Sequence, residues 1–392
     1  MPDTAANLHH IRVDQVGSLS APPRLKDAVQ QHRAGVITDS ALRQVQDGAI
    51  SDCIAKQESL GFPVISDGEF RRNNFQESFG AAVSGFDVPS GGLDLSRQAV
   101  NKTPYQRAEQ DFAAPGPAIV TRRPVVERLR LIRNVPLEEY RFSSAIATHP
   151  VKATLLSPDR ISQRFDYERS RHVYSDMDAF LADVVAIERQ MIQGLVDAGC
   201  RYIQIDAPGY TAYVDPVSLD RMRSRGEDPD ANLERSIAAD NALIQGFQGI
   251  TFGIHFCRGN PRTIDPNSGQ VVPQWHREGH YDPIADRLFN RLNHHRLLLE
   301  YDSDRAGTFE PLRFVPKDKV AVLGLVTTKS ADIEPREALE RRIQEATRYL
   351  PLGQLALSPQ CGFGGVGGVT LPEDVQWAKF TRILETARDL WG

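Results

Sequence analysis

The stretch DAFLADVVAIERQMIQGLVDA at 178–198, followed after a short turn by RYIQID at 201–206, decides how the chain is to be read. Apolar residues recur every three to four positions through the first segment, the period of a helix with one buried stripe. The second, with Tyr202, Ile203 and Ile205, is a short run rich in strand-forming residues. A helix leading directly into such a strand is half of a parallel crossover unit.

Working outward, the same alternation recurs along most of the chain. Strands are expected at 11–18 (IRVDQVGS), 61–67 (GFPVISD), 151–157 (VKATLLS), 201–206, 250–256 (ITFGIHF), 296–301 (RLLLEY), 320–326 (VAVLGLV) and 354–358 (QLALS). Helices are expected at about 178–198, 231–247, 281–292, 335–349 and 372–391. Eight parallel strands with helical crossovers predict a closed (β/α)8 TIM barrel of the α/β class. The 392 residues are then read as one catalytic barrel domain, 1–392. Between about 80 and 150 the alternation breaks at VSGFDVPSGGLDL, followed by the strand-like pieces PAIVTRR and PVVERLRLI. This reads as an insertion after the second strand, a hairpin or cap near the barrel mouth or a subunit contact, compatible with a homo-oligomer.

Lys and Arg number 46 against 51 Asp and Glu, a net charge of -5, so no broad basic surface is offered to nucleic acid. No apolar run approaches the roughly 20 residues that span a bilayer, and the N-terminus MPDTAANLHH lacks a secretory apolar stretch. The reading is a soluble, cytoplasmic protein whose partner is a small molecule rather than nucleic acid or a membrane. Cys53, Cys200, Cys257 and Cys361 are too few and too scattered for a disulfide framework.

In such a barrel the C-terminal ends of the strands converge on one face, where active sites lie. His255 and Cys257, two residues apart at the end of the fifth strand, point to the same side. Imidazole and thiolate together suit zinc, which takes four ligands in structural sites and three plus an open position in catalytic ones. Cys361, just past the eighth strand, offers a third soft ligand, and Glu300, ending the sixth, can supply an oxygen. An isolated H-x-C pair is more often a packed histidine beside a small apolar residue; placement of all four candidates on strand ends reverses that reading. Cys53 and Cys200 are assigned to packing, and His9, His10, His294 and His295 to polar surroundings.

The segments VGSL (16–19), SDGEFRRNNF (66–75), IQIDAPG (203–209), HFCRGN (255–260), LEYDSDRAGTFEPL (299–312), LGLVTTKS (323–330) and LSPQCGFGG (357–365) resemble the cobalamin-independent methionine synthases. The likeness is to short proteins resembling only their C-terminal catalytic barrel, and it runs over nearly the whole chain. It implies zinc held by His255, Cys257, Glu300 and Cys361, and a thiol substrate that joins the metal as thiolate. It further implies a homocysteine carboxylate held by the backbone of Val16-Gly17-Ser18 and an amine held by Glu69 and Asp206.

The family reads D-E-P where this chain has Asp206-Ala207-Pro208, and D-V-H-S where it has Thr327-Thr328-Lys329-Ser330. Lys329 thus stands in the place of the family's proton-donating histidine, as a substitute proton donor or an anion-binding group. Arg258, with Arg71 and Arg305, forms a candidate anion-binding rim. The leading expectation is a zinc-dependent thiol S-methyltransferase of methionine biosynthesis, using homocysteine and a methyl donor such as a methyl-folate. Alkyl transfer to another thiol, as in the epoxyalkane:coenzyme M transferases that resemble the same barrel, is the alternative, and a metal-binding accessory protein without turnover is the non-enzymatic one.

Overall fold

A computed structural model describes residues 8–72, 77–87, 123–259, 262–264, 271–273, 277–364, 366 and 370–392. Its strands in chain order are β1 Val83–Phe86, β2 Val125–Leu131, β3 Lys152–Leu156, β4 Tyr202–Asp206, β5 Thr251–Phe256, β6 Arg262–Ile264, β7 Val271–Pro273, β8 Arg296–Glu300, β9 Val320–Val326 and β10 Leu355–Pro359.

Six of these form one parallel sheet in the order β3-β4-β5-β8-β9-β10. Every residue of the six is buried, because helices cover the outer face and side chains fill the inner one. Two further segments close the wall into the expected (β/α)8 barrel. Val13 bridges Leu357 of β10 in parallel, with Asp14 N donating to Leu357 O at 3.0 Å. Ile65 bridges Val151 in parallel, with Lys152 N donating to Ile65 O at 2.9 Å.

The expected strands 11–18 and 61–67 are therefore single bridges rather than full ladders, and the reason is local. Gln57, buried in the helix Asp39–Leu60, accepts from Ser66 N at 3.0 Å and donates to Ser66 O at 2.8 Å. A side-chain amide occupies both groups that a neighbouring strand would have paired. The seam between the two segments is completed by Leu19 N donating to Gly68 O at 3.1 Å and Ser66 Oγ to Gly17 O at 2.7 Å.

The outer helices at Met177–Asp197, Pro229–Ile244, Asp282–Arg291, Arg336–Ala346 and Glu373–Trp391 fall near the expected ranges. Asp176 and Asp228 cap the first two by accepting backbone N–H groups of the opening turn. Helices at Pro23–Arg33, Asp39–Leu60, Val135–Ile146 and Pro216–Ser224 add to them.

Within the stretch 80–150, β1 pairs antiparallel with β2, Val83 opposite Leu131 and Phe86 opposite Val125. This hairpin leans on the helix Met177–Asp197 through Arg128, which grips Asp183 at 2.8 and 3.0 Å. PAIVTRR lies outside the described residues up to Arg122. A second small hairpin, β6 with β7, follows β5.

Candidate metal and substrate centre

The ends of β5 and β8, and the turn after β10, carry four donors of three kinds, imidazole, thiol and carboxylate, to one spot. His255, Cys257, Glu300 and Cys361 are all buried, and one donor atom from each lies within 4.8 Å of all the others. The Cys257 and Cys361 Sγ atoms are 3.4 Å apart. Tetrahedral zinc with bonds of about 2.3 Å to sulfur sets two sulfurs roughly 3.8 Å apart, so the pair is close to the required edge.

The donors also fit a dication electrostatically. Neither ring nitrogen of His255 has a hydrogen-bond partner among the described residues, a costly state for a buried imidazole that coordination relieves. The Cys257 thiol is pushed well up, first by its contact with the Cys361 sulfur and then by burial. A soft dication reverses that balance by binding the thiolate form.

Glu300 is held from three sides. Its Oε1 accepts from Arg258 N at 2.9 Å, and its Oε2 accepts from Arg305 Nη2 at 2.6 Å. Lys329 Nζ stands 3.9 Å from the same Oε2 and 2.9 Å from Asp302 Oδ2. Fixing a carboxylate in this way orients it for a metal. Lys329 is thus placed as an ion-pair partner of Asp302 beside Glu300. The Arg258 guanidinium turns away, donating to Gly279 O at 2.6 Å and lying 4.5 Å over the Tyr281 ring. Arg71 pairs with Asp47 and covers Phe142, so Arg71, Arg258 and Arg305 turn to separate partners rather than forming one rim.

Asp206, the last residue of β4, is paired in register with His255 of β5. Its carboxylate accepts from Gln204 Nε2 at 2.7 Å. Glu69 reaches the same region from a backbone at φ 58°, the one non-glycine residue with positive φ among those described. Its Oε1 accepts from Thr154 Oγ1 at 2.8 Å and from Arg72 Nη1 at 3.3 Å. A Cβ on Gly17 would lie 3.2 Å from Glu69 Oε1, so the glycine leaves room for this carboxylate.

Burial raises the pKa of Glu69, with Arg72 opposing and the Asp206 charge adding to the rise; burial also raises that of Asp206, with His255 opposing. Two buried carboxyl groups whose charges disfavour one another therefore share this end of the barrel. Ser18 lies against the turn that carries Cys361: its carbonyl accepts from Phe363 N at 2.8 Å, and Gly362 packs directly on its hydroxyl.

Sequence reasoning missed Arg72, Glu139, Thr154, Lys152 and Gln204. Arg72 grips Glu139 at 2.6 Å while holding Glu69. Period-two alternation could have found Lys152 and Thr154 on β3, and Gln204 two residues before Asp206 on β4. His294 corrects the expectation of polar surroundings. It is fully buried, neither ring nitrogen is hydrogen-bonded among the described residues, and burial lowers its pKa to about 3.

Fold and site together define a parallel (β/α)8 protein with a buried His/Cys/Glu/Cys cluster at the mouth of its barrel. The chain belongs to the family described as cobalamin-independent synthase, catalytic domain, whose model matches residues 13–260. It is 34% identical over 387 residues to the uncharacterized protein YxjG of Bacillus subtilis, covering 97% of this chain and 94% of that one. It is 23% identical to the methionine synthase of Sulfurisphaera tokodaii, covering 94% and 89%. A crystal structure from Listeria monocytogenes, named for a vitamin-B12-independent methionine synthase, superposes with a TM-score of 0.71 at 26% identity, covering 97% of this chain and 98% of that one. No helix among the described residues is long and apolar enough to cross a membrane.

Proposed function

We propose that this chain is a zinc-dependent S-methyltransferase that transfers a methyl group to the thiol of homocysteine, giving methionine. One observation carries the reading: four buried donors suited to zinc meet within 4.8 Å at the same barrel end as a pair of buried carboxyl groups, Glu69 and Asp206.

When bound, zinc supplies a Lewis acid that lowers the pKa of a neighbouring thiol and leaves its sulfur nucleophilic. His255, Cys257, Glu300 and Cys361 would hold the ion. Glu69 and Asp206 receive the substrate ammonium, and the backbone of Val16-Gly17-Ser18 receives its carboxylate. Arg72 and Thr154 keep Glu69 aimed into the cleft. Lys329, ion-paired with Asp302 beside Glu300, is the proposed proton donor to the departing group. In the transfer the sulfur–carbon bond forms as the methyl–donor bond breaks, and the thiol proton has already been released on binding.

The test is zinc quantification on purified protein, followed by calorimetry and thermal shift with a panel of thiols. Homocysteine is expected to bind with proton release and to stabilise the zinc-loaded protein most. Preferential binding of a sulfonate thiol, or tight thiol binding by zinc-free protein, overturns the proposal.

A further inference from the structure

Gln204 lies in the middle of β4 with no solvent exposure, and its amide orientation is dictated by its neighbours. Lys152 Nζ, which can only donate, is 2.8 Å from Oε1. Nε2 then faces Val16 O, which can only accept, at 2.6 Å, and donates to the Asp206 carboxylate at 2.7 Å. Turning the amide over would set hydrogens against an ammonium and an oxygen against a carbonyl and a carboxylate. One orientation survives.

Lys152 is fixed in turn. Its Nζ is 3.0 Å from Asp14 Oδ1, and it also donates to Gln15 O. Asp14 is clamped by Arg296 at 3.0 Å and by the Tyr202 hydroxyl at 2.5 Å. An ordered chain of charges and hydrogen bonds therefore runs through the barrel interior from Arg296 through Asp14, Lys152 and Gln204 to Asp206. Among the described residues, Gln204 is the one hydrogen-bond donor to the Asp206 carboxylate.

We propose that Gln204, locked by Lys152, is the positioning residue that sets both halves of the amino-acid clamp in register, Asp206 for the ammonium and the Val16 backbone for the carboxylate. This rests on the proposed function. Among the described residues the Gln204 side chain hydrogen-bonds to no metal-ligand candidate; it acts through the two groups proposed to read the head of the substrate.

The experiment uses zinc-loaded protein of verified stoichiometry and two thiols, homocysteine and 2-mercaptoethanol, which lacks the amino-acid head. In Gln204→Met, of similar volume but without the amide, the Kd for homocysteine should rise about tenfold or more, the usual scale for losing a hydrogen bond to a charged group. The Kd for 2-mercaptoethanol should not move. In an Asp206→Asn background the same substitution should have a much smaller effect, because the shared partner is already altered. Gln204→Leu, likewise without the amide and without charge, carries the same expectation should Gln204→Met fold poorly.

Equal weakening of both thiols, or no change for homocysteine, overturns the positioning role while leaving the methyltransferase reading intact. A wild-type protein that does not prefer homocysteine to 2-mercaptoethanol overturns that reading and the positioning role with it.

Discussion

The sulfur atoms of Cys257 and Cys361 meet at 3.4 Å although 104 positions separate them in sequence. Two buried thiols at that spacing, beside an imidazole with no hydrogen-bond partner among the described residues, favour a metal over three isolated side chains. Replacing Cys361 or Cys257 by Ser should therefore lower zinc affinity by more than the roughly 10- to 100-fold that changes outside the ligand set produce. Competition with a chromophoric chelator measures this; unchanged affinity in both variants would remove the cysteines from the site.

Arg305 presents Nη2 to Glu300 Oε2 at 2.6 Å, and both side chains are almost completely buried. Arg305→Leu leaves that carboxylate with the Arg258 backbone N–H and the more distant Lys329. Zinc affinity should fall about 10- to 100-fold. The metal-free protein should also melt earlier, because removing one partner of a buried ion pair leaves the other charge poorly compensated. Chelator competition and thermal melts of the apoprotein read the two effects separately.

Gly362 joins the two halves of the candidate site. A Cβ there would lie 2.0 Å from Ser18 Oγ and 3.2 Å from the Ser18 carbonyl oxygen, so relief requires backbone movement as well as a rotamer change. Gly362→Ala should cost about 1 to 3 kcal/mol of stability, the usual scale of overpacking. By displacing Ser18 it should also weaken homocysteine binding more than zinc binding. Denaturant unfolding and thiol titration of the zinc-loaded variant provide the measurements.

Legibility in the sequence follows the range of the interaction. β9 is legible at its observed bounds, Val320–Val326, because a continuous β-branched and apolar run is a local signal. The four metal-ligand candidates are legible because each is an unusual donor at a strand end. The segments at 11–18 and 61–67 look equally strand-like, yet the Gln57 amide replaces a neighbouring strand at Ser66, and nothing in the local pattern announces that. Arg72 and Glu139, 67 positions apart, likewise show only as one charge among many until the fold joins them. Lys329 stands out in the sequence, but its pairing with Asp302 follows from the way β8 and β9 lie side by side.

Asp240, in the helix Pro229–Ile244, accepts from Ser157 Oγ at 3.0 Å and from the Tyr210 hydroxyl at 2.5 Å. Burial pushes its pKa up to about 7; Tyr210 and Ser157 oppose the rise and the charge of Asp159 adds to it. Buried Glu188 is also pushed well up, by burial and by the Asp240 charge. A carboxyl that ionises near pH 4 when unfolded and near 7 when folded keeps its proton longer in the native state. Its contribution to stability is fully present below about pH 4 and is lost as pH rises through 7. Asp240→Asn stays neutral at every pH and retains an acceptor and a donor for the two hydroxyls. Its stability relative to wild type should therefore increase from pH 5 to pH 8 by up to a few kcal/mol, since a tenfold change in proton affinity is worth about 1.4 kcal/mol. Urea unfolding of both proteins across that range measures the difference; a constant offset would show that Asp240 titrates alike in the folded and unfolded states.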